Sequence, residues 1–305
     1  MKLAFLFTCY NRIEKTRECI ESISSAVQYA NARLAKSVGD TSAVIETVWF
    51  VVDGGSSDGT QDMLADYKTR CKMHTRVENG AYYSQGMRAC MELAHAEEKC
   101  DFYFIINDDV DFYEDCIYLL LQKYGCIDND SLGDFDKTYV VAGATDCDGC
   151  QTYGGVRYVK GAGKKNHFIP RSVSYSMVSI EDEDKSCHTF NANCVMIPGK
   201  VFDRYGFMDK AFIHSLGDFD LGMNIYESNA AGIIASDIYV GRCANNSKDN
   251  TWQDKTLSRM DRIRKLNSVK GAPSSQWFHY LYKHFGLATA IAHSISPYVR
   301  IIAGR

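Results

Sequence analysis

No run of about 18 uninterrupted apolar residues occurs in the sequence, which argues against a transmembrane helix. The GxGxxG fingerprint of dinucleotide-binding folds is missing after the first two strand-like segments. No second CxxC accompanies Cys147-Asp148-Gly149-Cys150, so that pair does not complete a zinc site. Internal repeats and low-complexity tracts are absent as well. The apolar opening, residues 1–7, meets Thr8-Cys9-Tyr10-Asn11-Arg12 instead of a longer apolar stretch with a cleavage site. It therefore reads as a first core strand and not as a signal peptide.

Cysteine, by contrast, is plentiful, with 12 residues. They are scattered, and Cys90, Cys116 and Cys194 sit within apolar segments. This is the usage of small buried hydrophobes in a reducing compartment, so a cytoplasmic protein without a disulfide framework is expected. Charge is unevenly placed. Residues 255–305 hold nine Lys/Arg and the single acid Asp261, a balance of +8 within a chain of net −4, which leaves −12 for the remainder. A basic tail on an acidic body points to a separate anionic partner for the tail, such as a membrane surface. Nucleic acid fits less well because the basic residues are confined to that tail.

Apolar runs and amphipathic stretches alternate through the first half. Strands are predicted at 3–7, 44–52 and Phe102–Ile106, and helices at 14–34, 61–72, 84–96 and 113–124. That rhythm predicts an α/β fold with a mainly parallel sheet flanked by helices. Further on, strands are predicted at 139–144, 190–197 and 233–240. A short helix is predicted to start at 201–205, another helix covers 217–227, and hairpins or a mobile loop cover 146–165. In the tail, Trp277, Phe278, Leu281, Phe285 and Ala288 recur at helical spacing. They predict either a helix packed on the body or an interfacial helix on anionic lipid.

Two strand-like runs end in acids. Val48-Trp49-Phe50-Val51-Val52 delivers Asp53 to a Gly/Ser turn, where the carboxylate either meets a base or ribose or closes an Asx-type turn. The run 102–106 delivers Asn107-Asp108-Asp109-Val110-Asp111. Three carboxylates in four residues repel unless a cation or solvent intervenes. Their oxygens suit Mg²⁺ or Mn²⁺, the alternative being an acidic cap on the following helix. Asp218 and Asp220 likewise either sit at a helix N-terminus, stabilised by its dipole, or supply a general base. Thr8 and Arg12 follow the first strand, where a hydroxyl and a cation can meet a base or a pyrophosphate; Arg12 also fits a solvated helix start.

Taken together, Thr8-Cys9-Tyr10-Asn11-Arg12, the stretch from Val51 to Thr60, Asn79-Gly80, Asn107-Asp108-Asp109 and Gly217-Asp218-Phe219-Asp220 resemble the inverting GT-A fold glycosyltransferases of family 2 over roughly residues 1–245. Tyr153-Gly154-Gly155 and residues 191–206 resemble bacterial members that build surface polysaccharides. The resemblance implies a GT-A domain at 1–254, with a nucleotide half at 1–111 and an acceptor and catalytic half at 112–254, followed by a helical tail at 255–305. It implies that Thr8, Asn11, Arg12 and Asp53 line the pocket for the base and ribose of a nucleotide-sugar, most readily a UDP-sugar, and that Asn79 and Gly80 border it. Asp108 then lies near the donor ribose or sugar, Asp109 with neighbouring Asp111 holds Mn²⁺ or Mg²⁺, and Asp218 is the catalytic base. Two departures stand out. Arg242 stands about where many relatives carry a metal-binding His, giving it a diphosphate-binding role instead, and Asn224 replaces a common Arg. The implied acceptor is a glycan or a lipid-linked molecule, which suits a peripheral location at the inner face of the cell membrane.

Two other readings stay open. A sugar nucleotidyltransferase shares an α/β core and acidic metal ligands, but no Gly-rich, Lys/Arg-bearing phosphate loop follows residues 3–7. A non-catalytic nucleotide- or carbohydrate-binding protein is the other. The sugar, the linkage and the oligomeric state are not encoded in any motif.

Overall fold

Alternating strands and helices fill the first 125 positions, as the apolar runs predict. The computed structural model describes residues 1–38, 45–125, 135–160, 167–244 and 248–304. Position 44 of the second predicted strand, 161–165 of the predicted hairpin region and Arg305 of the basic tail lie outside the described residues. In the first half run β1 (Lys2–Cys9), α1 (Ile13–Val38), β2 (Glu46–Asp53), α2 (Thr60–Tyr67), β3 (Met73–Val77), α3 (Tyr83–Glu97), β4 (Phe102–Ile106), β5 (Asp111–Phe112) and α4 (Cys116–Tyr124). The second half holds β6 (Thr138–Thr145), β7 (Gln151–Tyr153), β8 (Gly155–Lys160), β9 (Ser174–Met177), β10 (Thr189–Phe190), β11 (Cys194–Pro198), α5 (Gly217–Ser228) and β12 (Gly232–Arg242). The tail contributes α6 (Arg259–Leu266), α7 (Ser274–Phe285) and α8 (Leu287–Ile302).

The main sheet has the order β3-β2-β1-β4-β11-β6-β12-β5, with β7 paired to β6. It is parallel from β3 to β4, and β11 then enters antiparallel between β4 and β6. A smaller sheet has the order β10-β8-β9. Because side chains alternate along a strand, β1 feeds two cores. Leu3, Phe5 and Phe7 pack with Ile20, Ile23 and Trp49 on one face, while Ala4 and Leu6 pack with Phe50, Met87 and Cys90 on the other. Phe5 is fully buried between Trp49 and Phe104. Truncating such a ring to alanine typically costs about 3–5 kcal/mol.

The chain leaves β1 toward β2 and β3, then crosses back to place β4 on the other side of β1. That reversal opens a crevice beyond the carboxyl ends of β1 and β4, where open α/β sheets bind ligands. The acid-tipped turns after β2 and β4 flank it.

Three sequence expectations need correction. The helix predicted at 61–72 ends at Tyr67, and Met73–Val77 forms the edge strand β3. Its Met-His-Thr-Arg-Val sequence is half-exposed and lacks the apolar run of an interior strand. Residues 201–205 form turns and not a helix, and the segment ends at Gly206, with φ 74°. In the tail, Gly286 (φ 93°) separates α7 from α8, so Ala288 belongs to α8 and not to the stripe of α7. Leu281 and Phe285 of α7 are buried with Tyr158, Phe212, Met223 and Ala290, so α7 packs on the body. Among the described residues no helix is long and apolar enough to cross a membrane.

Candidate active site

A cavity of about 710 Å³ occupies the crevice at the strand ends. Its lining includes Thr8, Arg12, Gly80, Asn107, Asp108 and Asp109, together with Asp218, Tyr158, His214 and Phe219. The tail closes it through Lys270, Trp277, Tyr280, Leu281 and His293.

The turns after β1 and β2 are laced together. Asn11, in a left-handed conformation with φ 50°, accepts from Ser57 N at 2.8 Å, and its own N–H donates to Ser56 Oγ at 2.9 Å. Asp58 Oδ2 accepts from Ile13 N at 3.0 Å, satisfying an open donor at the start of α1. Asp53 is buried, and both its oxygens accept from Ser56 N at 3.2 and 3.0 Å. It thus forms the Asx-type turn and stands behind the cavity lining. Thr8 reaches the cavity, although its hydroxyl donates to Val52 O at 2.8 Å. Gly80 lines the cavity with φ 77°. Asn79 lies outside that lining and packs against Gly55, where a Cβ would meet Asn79 Oδ1 at 2.5 Å.

The two acids after β4 are held by a cation of the chain itself. Arg12 Nη1 donates to Asp109 Oδ2 at 2.8 Å and to Asp108 Oδ1 at 3.1 Å, and Thr16 Oγ1 donates to Asp108 Oδ2 at 3.1 Å. Burial pushes the Asp108 carboxyl up to about 6, against the pull of Arg12. Asn107 Nδ2 donates to Asn193 Oδ1 at 2.6 Å. Asn107 Oδ1 is buried without a hydrogen-bond partner, while Asn193 Nδ2 faces the Cys243 thiol. Buried amide oxygens are ordinarily satisfied, so Asn107 offers an acceptor at the cavity wall.

Asp111 and Arg242 do not reach this cluster. Both are exposed and face one another in register across β5 and β12, outside the cavity lining. Cys243, the next residue, turns inward and places Sγ 3.6 Å from Asp109 Oδ1. Its thiol is pushed up to about 12 by burial and by Asp109, so it stays protonated. The sequence reading overlooked Cys243; alternation at the end of β12, with Val240 buried and Arg242 exposed, carries the signal.

Asp218 lies in the first turn of α5, which opens at Leu216 in a left-handed conformation (φ 71°). The α5 entrance docks on α3: Ser84 Oγ donates to His214 O at 2.8 Å, and Gly217 has no room for a Cβ against Ser84. Asp218 accepts from Ala192 N at 3.2 Å and Phe219 N at 2.9 Å. Burial pushes its carboxyl up to about 6, partly offset by these two donors. A carboxylate tuned toward neutrality in a cleft is suited to accept a proton. Tyr83 was also missed by the sequence reading. Its buried hydroxyl lacks a hydrogen-bond partner, and burial with the charges of Asp218 and Asp109 raises it well above the usual tyrosine range.

Asp220 points the other way. Fully buried, it meets Lys283 Nζ at 2.7 Å and His284 Nε2 at 2.9 Å, both from α7. Lys283 also reaches Asp209 at 3.2 Å. The helix that presents Asp218 is therefore tied by ion pairs to the helix that supplies Trp277, Tyr280 and Leu281.

Oxygen ligands at Asp109 and Asp108 fit a hard divalent cation that keeps waters and substrate phosphates in its shell. Among the described residues no cluster of three or more His, Cys, Asp or Glu forms a metal cage by itself. Water or phosphate oxygens would complete the shell of a cation here, and Arg12 would have to yield its place.

The fold and this crevice define a glycosyltransferase of the GT-A fold. Residues 5–133 match the family described as Glycosyl transferase family 2. No curated protein matches the chain in sequence. Among solved structures, the mannosyltransferase PcManGT from Pyrobaculum calidifontis in complex with GDP-Man and Mn²⁺ is 12% identical. It superposes with a TM-score of 0.53 over 99% of this chain and 73% of that one. S. aureus TarS 1–349 in complex with UDP-GlcNAc is 11% identical, with a TM-score of 0.51 over 100% of this chain and 72% of that chain. At such identities the likeness establishes the fold.

Proposed function

We propose that this protein is an inverting glycosyltransferase. It moves a sugar from a nucleotide-sugar, by preference a UDP-sugar, to a hydroxyl of a glycan or lipid-linked acceptor in surface-polysaccharide assembly. The observation that carries this reading is the convergence of Asp108, Asp109 and Asp218 on one cavity at the sheet's switch point. In the proposed reaction the acceptor oxygen forms a bond to the anomeric carbon as the bond from that carbon to the diphosphate oxygen breaks. Asp218 receives the acceptor's proton, and the nucleoside diphosphate leaves with the bonding electron pair. One base and no protein nucleophile gives inversion, by the geometric logic of inverting glycosidases.

The nucleotide lies along Thr8, Gly80 and the turn after β2 in this reading, with Asp53 and Asn11 shaping that turn from behind. Asp109, with Asp108 beside it, would hold Mn²⁺ or Mg²⁺ together with the diphosphate, and the cation would neutralise charge developing on the leaving group. Arg12, displaced from the two acids, is placed to meet a diphosphate oxygen. Asp111 and Arg242 are not needed. The aromatic side chains of Tyr158, Trp277 and Tyr280 suit a sugar-bearing acceptor, whose apolar ring faces stack on such groups. The neighbours' ligands, GDP-Man with Mn²⁺ and UDP-GlcNAc, are compatible with this chemistry.

Calorimetric titration with UDP, GDP and their sugar conjugates, with and without Mn²⁺, tests the donor and metal assignments. Metal-strengthened binding of one nucleoside diphosphate is the expected result, and no binding of any member overturns the reading. Once a turnover system exists, the anomeric proton coupling of the product tests inversion.

A further inference from the structure

Much of the exposed apolar surface of the tail lies on α8, beside Met260 of α6 and Phe278 and Tyr282 of α7. Leu287, Ile291, Ile295, Val299 and Ile302 recur at intervals of four, four, four and three, and are 42, 48, 54, 56 and 61% exposed. Those intervals place all five on one face of the helix. The opposite face turns inward, where Thr289, Ala290 and Ile301 are buried and His293 lines the cavity. A second exposed apolar element is fastened beside α8. The segment beginning at His167 is fastened to α8 by Ala288 N donating to His167 O at 3.2 Å, Arg171 N donating to Thr289 Oγ1 at 3.1 Å, and His293 Nε2 lying 2.8 Å from Arg171 O. This segment carries Phe168 and Ile169, 92 and 62% exposed.

α8 contains no acid, and its single Arg300 falls on the side of the helix away from the stripe. The cationic border of this face comes from α6. The Arg259 guanidinium of α6 lies close to the end of α8, 3.9 Å from where a Cβ on Gly304 would stand. α6 adds Arg264 and Lys265 in its last turn and is joined to α8 by Tyr298 Oη donating to Asn267 Oδ1. An apolar stripe with a basic border is the surface that lies in the interface of an anionic bilayer. A second copy is a poorer occupant, because a twofold contact through this patch would set basic rim against basic rim.

We propose that the outer face of α8, with Phe168 and Ile169, docks on an anionic lipid surface. The proposal rests on the glycosyltransferase reading only in what it adds for the acceptor. His293 lines the cavity from the same helix, so docking brings the cavity wall to within about one helix diameter, roughly 10 Å, of the headgroups. An acceptor carried on a lipid would then enter between α7, α8 and the body without leaving the membrane.

The test is co-sedimentation of the full chain with vesicles of phosphatidylcholine alone and with added phosphatidylglycerol, beside the triple variant Ile291→Ser, Ile295→Ser, Val299→Ser. Nucleoside diphosphate titration and a melting curve check that the variant remains folded and the donor site intact. The wild-type chain should sediment with anionic vesicles, and the triple variant should partition at least about tenfold more weakly. Three results overturn the proposal: no sedimentation of the wild-type chain, equal binding to both vesicle types, or undiminished binding by the folded variant. Concentration-dependent dimerisation abolished by the same changes, without vesicle binding, assigns the face to a second copy. Because vesicle binding needs no donor, its failure leaves the donor titration standing, and failure of the donor titration leaves vesicle binding standing.

Discussion

Arg12 donates to Asp109 Oδ2 at 2.8 Å and so serves as the counter-ion of the very carboxylate assigned to a divalent cation. The two roles compete for the same oxygens. Arg12→Ala is therefore expected to strengthen binding of Mn²⁺ alone by roughly three- to tenfold, since a nearby positive charge is removed. It should weaken UDP by roughly tenfold through loss of a charge-assisted hydrogen bond. Calorimetry with each ligand separately reads both effects; an unchanged Mn²⁺ affinity would reject the counter-ion role.

Asp218→Asn is expected to lower turnover by at least about a hundredfold while leaving nucleotide affinity within a factor of two. With Asp218 pushed up to about 6, the wild-type rate should fall about tenfold per unit below pH 6. Loss of donor binding together with retained turnover would falsify the base assignment.

The same residue has a stability consequence of opposite sign. A carboxyl raised in the folded state contributes stability that is fully present below the unfolded value near 3.8 and is lost as pH rises through the folded value of about 6. Asp218→Asn should therefore melt about 2–4 °C higher at pH 8, the shift expected of ~1 kcal/mol in a chain of this size. That advantage should vanish below pH 4. Thermal melts at both pH values decide it.

His284 holds Asp220 in the interior. Burial alone would depress its imidazole, but hydrogen bonding to Asp220 and Glu227 raises it above its ordinary value. A raised histidine stabilises the fold below its unfolded value near 6.5, and the contribution fades as pH climbs through the folded value. His284→Ala leaves a buried carboxylate with Lys283 as its remaining cation, and should cost roughly 3 kcal/mol in urea unfolding at pH 6. The cost should be smaller at pH 9; an equal cost at both would remove the ionic account.

Gly222 faces Thr189 across the α5–β10 contact, where a Cβ would lie 2.7 Å from Thr189 Cα. Backbone offers no easy retreat, so Gly222→Ala should displace α5 and destabilise by about 1–3 kcal/mol. Because α5 carries Asp218, turnover should fall more than nucleotide affinity does. A variant with wild-type stability would show that the two elements separate freely.

The first half of the chain was legible because interior parallel strands are unbroken apolar runs. β1, β2 and β4 announce themselves, and the residues just past them fall at the crevice by topology alone. β3 was missed because an edge strand exposes one side and reads as polar. Arg242 and Cys243 show the weight of phase, since one position along β12 reverses the direction of the side chain and leaves Arg242 outside the cavity lining. Asp53 could not be resolved from sequence, because Ser56 satisfies it only once the turn has closed. Most hidden was the tail. Trp277 and Tyr280 meet Thr8 and Asp109 in one cavity across more than 160 intervening positions, and no local pattern encodes that meeting. The outward stripe of α8 begins just past Gly286 and was passed over because the periodic reading ended at Ala288.

The strand order also bears on how the chain matures. β4 gains its second neighbour only through pairs such as Cys194 with Ile106, which lie 88 positions apart. During synthesis the four parallel strands can assemble while one flank of β4 still presents unpaired amides and carbonyls. That open edge invites pairing with other nascent chains until β11 emerges. Crowded expression at high temperature should therefore lose this protein to aggregation at the ribosome, before α7 and α8 have been made.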